Sequence, residues 1–515
     1  MKNGFIIFIS SIVYTYLLYM QGIGANVLLL NIILIAGLFI SNPNYLKNKL
    51  SLLFSAGAIL SSVFAFVNGH VLTVIANILS LTLLSISVSL KQQSVLTSLL
   101  HIFYSYITSI AQIFRRFKQK YFSENEQNGT LRKRIVIYLS STVVFILFVI
   151  LYQASNAAFS SFIQQFSLKF LTARLIFFYA TSFIIMYAFF RPRILAVLAI
   201  YEKMIPLNIT SDGYHSYSFL GNNVEEETEF KTGVVMLSLL NGLLLLVNVI
   251  DLQFMFGGEL LPANISYADY VHQGIFSLIL SIVIAIAIIL WYFRGSQNFA
   301  QQKTLKTLAY LWIAQNLIML LSAAYKNNLY INEFSLTYKR IGVYAFLLCT
   351  IAGLILTFIK IVNKRSNFYL VKANSLVWYV ILVMAVPIGW DKMIAEFNIY
   401  QAQSKGKEPD INYLSSLSYQ ALPVLLKYQL TIQPDTFTNP TITYYNNGTY
   451  SQQKLFNKLV DFSTNENSYG WQSYNVARCK SYDEIVPLLD KYSHLLQIHP
   501  ISNLKIYAKY RNLNF

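Results

Sequence analysis

The chain has 515 residues, 55% of them hydrophobic and 12% charged, with a net charge of +17 and a mean hydropathy of +0.49. Average soluble chains are about a quarter charged, so lipid is the main solvent here and a wholly soluble enzyme is excluded. The basic balance does not call for nucleic acid, because Lys and Arg collect in the cytoplasmic loops of membrane proteins, and no nucleic-acid partner is expected.

The first stretch, MKNGFIIFISSIVYTYLLYM, is long for a signal peptide and is followed almost at once by another apolar run. It reads as a retained first helix. A spanning helix needs about 20 mostly apolar residues. Eleven stretches qualify, at 4–20, 24–41, 50–67, 71–90, 135–152, 171–190, 232–252, 269–293, 305–324, 336–361 and 374–391. The segment 94–114 differs. Leu96, Leu99, Leu100, Phe103, Ile107, Ile110 and Phe114 recur at three- and four-residue steps, with Ser98, His101, Ser105 and Ser109 between them. That is an amphipathic helix lying in the membrane interface rather than crossing it. Segment 154–168 has a weaker version of the same pattern.

Basic residues set orientation. With the N-terminus cytoplasmic and 94–114 not crossing, 22 Lys and Arg fall inside and 5 outside ahead of the tail. Eleven crossings then put the tail outside. The acidic run Glu225, Glu226, Glu227 and Glu229 lies in the cytoplasmic loop 201–231 and reads as a solvated face. In the tail, 414–428 and 483–496 have helical spacing, with Pro423 and Pro487 marking helix starts or kinks. The expected fold class is an all-α transmembrane bundle with a small, mainly helical extracytoplasmic C-terminal module. Its parts are a four-helix membrane segment with the interfacial helix and a basic loop (1–134), a main membrane domain (135–391) and the polar module (392–515). No repeat of fixed period is present.

The unusual chemistry sits at Asn248–Gly274, NVIDLQFMFGGELLPANISYADYVHQG. Asn248 and Asp251 share a face near the outer end of one helix, and Asp269 and His272 share a face at the start of the next. Arg340 opens a later helix at the same level. One reading joins Asn248, Asp251, Asp269, His272 and Arg340 in a polar site, since guanidinium suits carboxylate or phosphate. The other treats them as helix-end charges and a structural Asp251–Arg340 pair. Asn31, Asn77, Asn241, Gln315 and Asn316 are polar residues in apolar runs and are expected to hydrogen-bond between helices. The six histidines form no HExxH pattern, and the chain has neither a GxxxxGK[ST] loop nor a GxSxG elbow. No catalytic residue, metal or cofactor is assigned.

The stretches NVIDLQFMFGG (248–258), ADYVHQGIFSLI (268–279), LTYKRIGVY (336–344) and WQSYNVAR (471–478) resemble a group of bacterial multi-pass membrane proteins known by a domain of unknown function, 4153/4173. The resemblance runs from about residue 135 into the tail; the first helices match in character alone. It implies a protein of the bacterial cytoplasmic membrane and supplies no activity. On the residues, the favoured function is a non-enzymatic transport, assembly or signalling component. Its partners would be the lipid bilayer, an anionic small molecule or lipid headgroup at the polar site, and other envelope proteins. The alternative is a membrane-embedded transferase acting on a lipid-linked or phospholipid substrate at the outer face. Against it, the first outer loop, Gln21-Gly22-Ile23-Gly24, holds no acid. Against a transporter, no paired Gly/Pro-broken helices occur.

Overall fold

A computed structural model describes residues 2–90, 93–122, 172–209, 226–256, 267–294, 303–432 and 469–491, with scattered positions in 137–159 and 454–462. Within these residues every regular element is a helix, and the one isolated β-bridge joins Asn208 to Arg365. The longer helices are α1 (Lys2–Leu18), α2 (Ala25–Ser41), α3 (Lys49–Val67), α4 (Val71–Ser89), α5 (Val95–Phe122), α6 (Ala173–Phe190), α7 (Ala196–Met204), α8 (Glu226–Phe256), α9 (Tyr267–Tyr292), α10 (Thr304–Phe334), α11 (Tyr338–Val362), α12 (Asn367–Ala385) and α13 (Trp390–Ser404). The C-terminal part adds α14 (Ile411–Leu414), α15 (Leu422–Ile432) and α16 (Val476–Lys491). Polar side chains set several helix starts. Asn48, His70, Thr172, Ser366 and Asp410 each accept a hydrogen bond from a first-turn backbone N–H.

By length and composition, α3, α4, residues 227–253 of α8, α10, α11 and α12 are long and apolar enough to cross a membrane. Gly4–Leu18, Ala25–Ser41, Arg174–Phe190 and Leu280–Tyr292 are shorter apolar helices. Large side chains such as Leu239, Leu243 and Leu246 stay exposed on their outer faces. So much uncovered apolar surface suits lipid, not water. The stretch at 135–152 is only partly described, and most of 154–168 lies outside the described residues.

Three buried cores organise the described residues, and they cut across the linear order of the chain. The first is built from α1–α4 with the first turn of α5, the end of α6 and the α12 residues Tyr379 and Val383. Here Asn31 and Asn77 donate to each other's amide oxygens at 3.0 Å, as expected of amides between helices. Tyr379 reaches Ser80 at 2.9 Å across Gly57, where a Cβ would lie 2.0 Å from the Tyr379 hydroxyl. The second core joins α8, α9, α10 and α11. The third unites α13, α15 and α16 with Ile331 from α10 and Leu336 from the α10–α11 turn.

Helix α5 turns its polar stripe inward. His101, Ser105 and Ser109 are buried, while Leu99, Leu100, Phe103, Ile107 and Phe114 are exposed. Glu202 of α7 accepts from the Ser94 N–H and the Thr97 hydroxyl, and Leu195 N–H donates to His101 Nδ1 at 3.0 Å. That orientation is the inverse of a helix on a water-soluble protein. It fits a helix with its apolar side in the interfacial layer.

Two boundaries correct the sequence reading. The apolar stretch 374–391 is not one helix: α12 ends at Ala385, just ahead of Pro387, and α13 begins at Trp390. Pro387 carries no backbone N–H and so cannot extend the hydrogen-bond ladder. The acidic run also does not end a loop, because Glu226 already begins α8. Glu227 pairs with Lys231 at 2.7 Å one turn on, and Glu229 with Arg294 at 3.2 Å. Acidic groups at a helix start are favoured by the backbone dipole. In the module, Pro423 lies in the first turn of α15 as expected, whereas Pro487 lies well inside α16.

The C-terminal part packs on one end of the first four helices. Ala25 N–H donates to Tyr474 O at 2.8 Å, Gly22 N–H to Ser473 Oγ at 2.8 Å, and Asn475 Nδ2 to Ala65 O at 2.8 Å. The WQSYNVAR stretch is therefore a docking segment, and the loop between α1 and α2 is its receptor.

Candidate functional site

Helices α8 and α10 pack along most of their length, and a line of polar side chains runs up the seam. Asn241 Nδ2 donates to Leu308 O at 3.0 Å, and Gln315 Nε2 donates to Asn241 Oδ1 at 2.9 Å. Two turns further on, Asn248 Nδ2 donates to Gln315 O at 3.1 Å. Asp251 follows on the same face. Its Oδ2 accepts from Ser322 Oγ at 2.7 Å and its Oδ1 from Lys326 Nζ at 2.7 Å. Asp251 and Lys326 are 7% and 9% exposed, so water does little to screen the pair. Within the apolar span an unpaired carboxylate would be costly, and the lysine one turn beyond Ser322 neutralises it. Three amide oxygens of this region, Asn248 Oδ1, Gln315 Oε1 and Asn327 Oδ1, are buried without a hydrogen-bond partner.

The expected polar site is only partly assembled. Asn248 and Asp251 share the seam. Asp269 and His272 stand three residues apart near the start of α9, with their side chains outside the described residues. The proposed Asp251–Arg340 pair does not form. Arg340 instead donates Nη1 to the carbonyls of Phe334 and Ser335 and lies over the Tyr330 ring at 4.3 Å. It closes the end of α10, where unpaired carbonyls and the helix dipole favour a cation. The cause is helix length. Helix α10 runs to Phe334, well past the expected end at 324, which brings Lys326 into the seam and leaves Arg340 facing the α10 terminus. Ser335, at φ 72°, makes the sharp turn between the two helices.

Sequence reasoning missed Ser322, Lys326, Asp391 and Tyr338. The four-residue spacing of Ser322 and Lys326 places them on one helix face and was a usable signal. Asp391 had no such signal, because its partners come from three distant parts of the chain. It is buried in the first turn of α13 and accepts from Tyr338 Oη at 2.7 Å. Burial pushes the His70 imidazole down, opposed by a hydrogen bond to Ile388 O and by the Asp391 charge. Burial also pushes the Lys458 ammonium down to about 8, with Asp391 acting against the shift. This carboxylate is thus the charge centre where α4, α11, α13 and the module meet. Nearby, a cleft of about 320 Å³ opens between the α3–α4 turn, α13 and α16. Lys392, on its wall, approaches Glu484 at 3.5 Å and Glu396 at 3.9 Å. Among the described residues, no group of three His, Cys, Asp or Glu side chains could hold a metal ion.

Residues 51–428 match a family described as a domain of unknown function, DUF4153. The chain belongs to the DUF4153 family. The DUF4153 match begins inside the first membrane core, at α3, and so includes helices that the sequence comparison had matched in character alone. It ends within α15, which leaves WQSYNVAR outside the matched part. The seam between α8 and α10, Arg340 and Asp391 all fall inside it. No curated protein and no solved structure matches the chain.

Proposed function

We propose that this integral membrane protein is a non-enzymatic component of a bacterial envelope, with a transport role carried by the α8–α10 seam. One observation supports the reading. The Asp251–Lys326 pair is buried between two apolar helices at the head of a line of buried amides, some with unpaired oxygens. Ionisable groups buried in membrane helices mark proton and ion routes. A proton arriving at Asp251 would discharge the carboxylate and break its ion pair with Lys326, which gives the seam two charge states on this reading. The 22-to-5 charge split supports a cytoplasmic N-terminus and a module outside the cytoplasmic membrane. Partners on this reading are the bilayer, an anionic ligand at the outer end and envelope proteins that meet the module. Purified protein in liposomes loaded with a pH-sensitive dye tests it. Under an imposed potential the wild type should carry protons and Asp251→Asn should not. Folded wild type with no flux above empty liposomes would overturn the transport role.

The alternative, a transferase working at the outer face, draws on the cleft beside Lys392, Glu396 and Glu484. Hydrolysis or transfer of a lipid-linked donor, lost in Glu484→Gln and retained in Asp251→Asn, would favour it.

A further inference from the structure

At the opposite end of the first core lies a cavity of about 510 Å³ that the transport reading does not use. Arg115 and Arg116, in the last turns of α5, stand on one side. Arg191 and Arg193, in the linker from α6 to α7, stand on the other. Ser89 and Phe190 close it at the ends of α4 and α6. Among the described residues, no carboxylate lines the cavity. None of the four guanidinium groups forms an ion pair among the described residues. The acid of α7, Glu202, lies at the other end of α5, where its Oε1 accepts from Ser94 and Thr97.

The walls are held in place. Arg193 N–H donates to Ser105 Oγ at 3.0 Å, and Ser85 Oγ donates to Phe189 O at 2.6 Å, which pins both ends of the linker. Arg116 and Arg193 lie over the rings of Tyr187 and Tyr104 at 5.9 and 5.5 Å. Four like charges gathered around one cavity repel each other, and an anion relieves that repulsion. Guanidinium forks suit phosphate oxygens in pairs.

We infer that this cavity binds the phosphate of an anionic phospholipid headgroup. The lipid source, rather than a free phosphate, follows from the surroundings. The cavity lies at the ends of two apolar helices, and beside it α5 exposes the apolar stripe of Leu99, Phe103, Ile107 and Phe114, along which acyl chains can lie. Basic pockets between membrane helices suit such headgroups. The inference rests on the cavity alone and does not need the transport reading.

Native mass spectrometry of the full chain in dodecyl maltoside, with added dioleoylphosphatidylglycerol or dioleoylphosphatidylcholine, tests it. The wild type should retain the anionic lipid at least about tenfold better than the zwitterionic one. Arg191→Gln with Arg193→Gln should weaken retention by about fivefold per guanidinium removed. Lys203→Gln with Lys303→Gln, basic residues outside the cavity, should leave it unchanged. Equal retention of the two lipids by the wild type overturns the inference, and that arm needs no variant to fold. So does an equal loss in the Lys203/Lys303 variant, which would mean general surface charge. Displacement of the lipid by millimolar inorganic phosphate would reassign the cavity to a free anion and overturn the lipid assignment.

Discussion

Lys326→Met removes the only described cation at Asp251 while keeping the length and apolar stem of the side chain. At the observed 2.7 Å, the charge–charge attraction is about 6 kcal/mol at an effective dielectric of about 20. Desolvation of both groups offsets much of it, so the pair's net worth is smaller. The single variant, however, strands a buried carboxylate with only the Ser322 hydroxyl for support, and breaking a buried pair in this way costs about 3–5 kcal/mol. Asp251→Leu with Lys326→Met removes both charges, and such replacements are close to neutral. The double variant should therefore recover most of the loss. Reversible unfolding in detergent, followed by tryptophan fluorescence and arranged as a double-mutant cycle, reads the coupling directly. A coupling under about 0.5 kcal/mol, or a double variant as unstable as Lys326→Met, would refute the reasoning. The same cycle on Asp251 and Arg340 should show additivity, because Arg340 serves the end of α10.

Gly24→Ala should loosen the C-terminal module, because an added Cβ would meet Tyr474 O at 2.3 Å and cannot displace backbone; a cost of about 1–3 kcal/mol is expected. Faster proteolysis within 433–515 would register it. Ser335→Gly should stabilise the α10–α11 turn by about 1 kcal/mol, since Ser335 holds a φ of 72° with an extended ψ that glycine adopts more readily. A raised unfolding midpoint checks this. Burial holds His101 below its ordinary value of 6.5, so the folded chain favours the neutral ring. The stability due to His101 is fully present above pH 6.5 and is lost as pH falls below it. The unfolding midpoint should drop between about pH 7 and 5, and less so in His101→Gln; an equal drop in both would assign the pH dependence elsewhere.

The sequence by itself determined the solvent and most of the helices. Runs of apolar residues near the length of a bilayer have few alternatives to helix, because every backbone N–H and C=O must be paired within the segment. Ten of the eleven expected stretches correspond to described helices, and the three- and four-residue steps of 94–114 marked out α5 as amphipathic. Helix ends were less legible. Apolar composition marks where lipid ends, not where a helix ends, so α10 continues past 324 and carries Lys326 into a site that sequence had assigned to Arg340. Only the tertiary structure decided which charges meet. Asp251 finds Lys326 75 residues later, Asp391 draws on Tyr338 and lies near His70 and Lys458, and Tyr474 accepts from Ala25 across nearly the whole chain. It also decided that α6 and α12 belong with the first helices. Partner choice of this kind depends on long-range packing, in which whole helices settle side by side and bury their polar groups together. Periodicity along one segment encodes which face is apolar, and carries no information about the neighbour that face will meet.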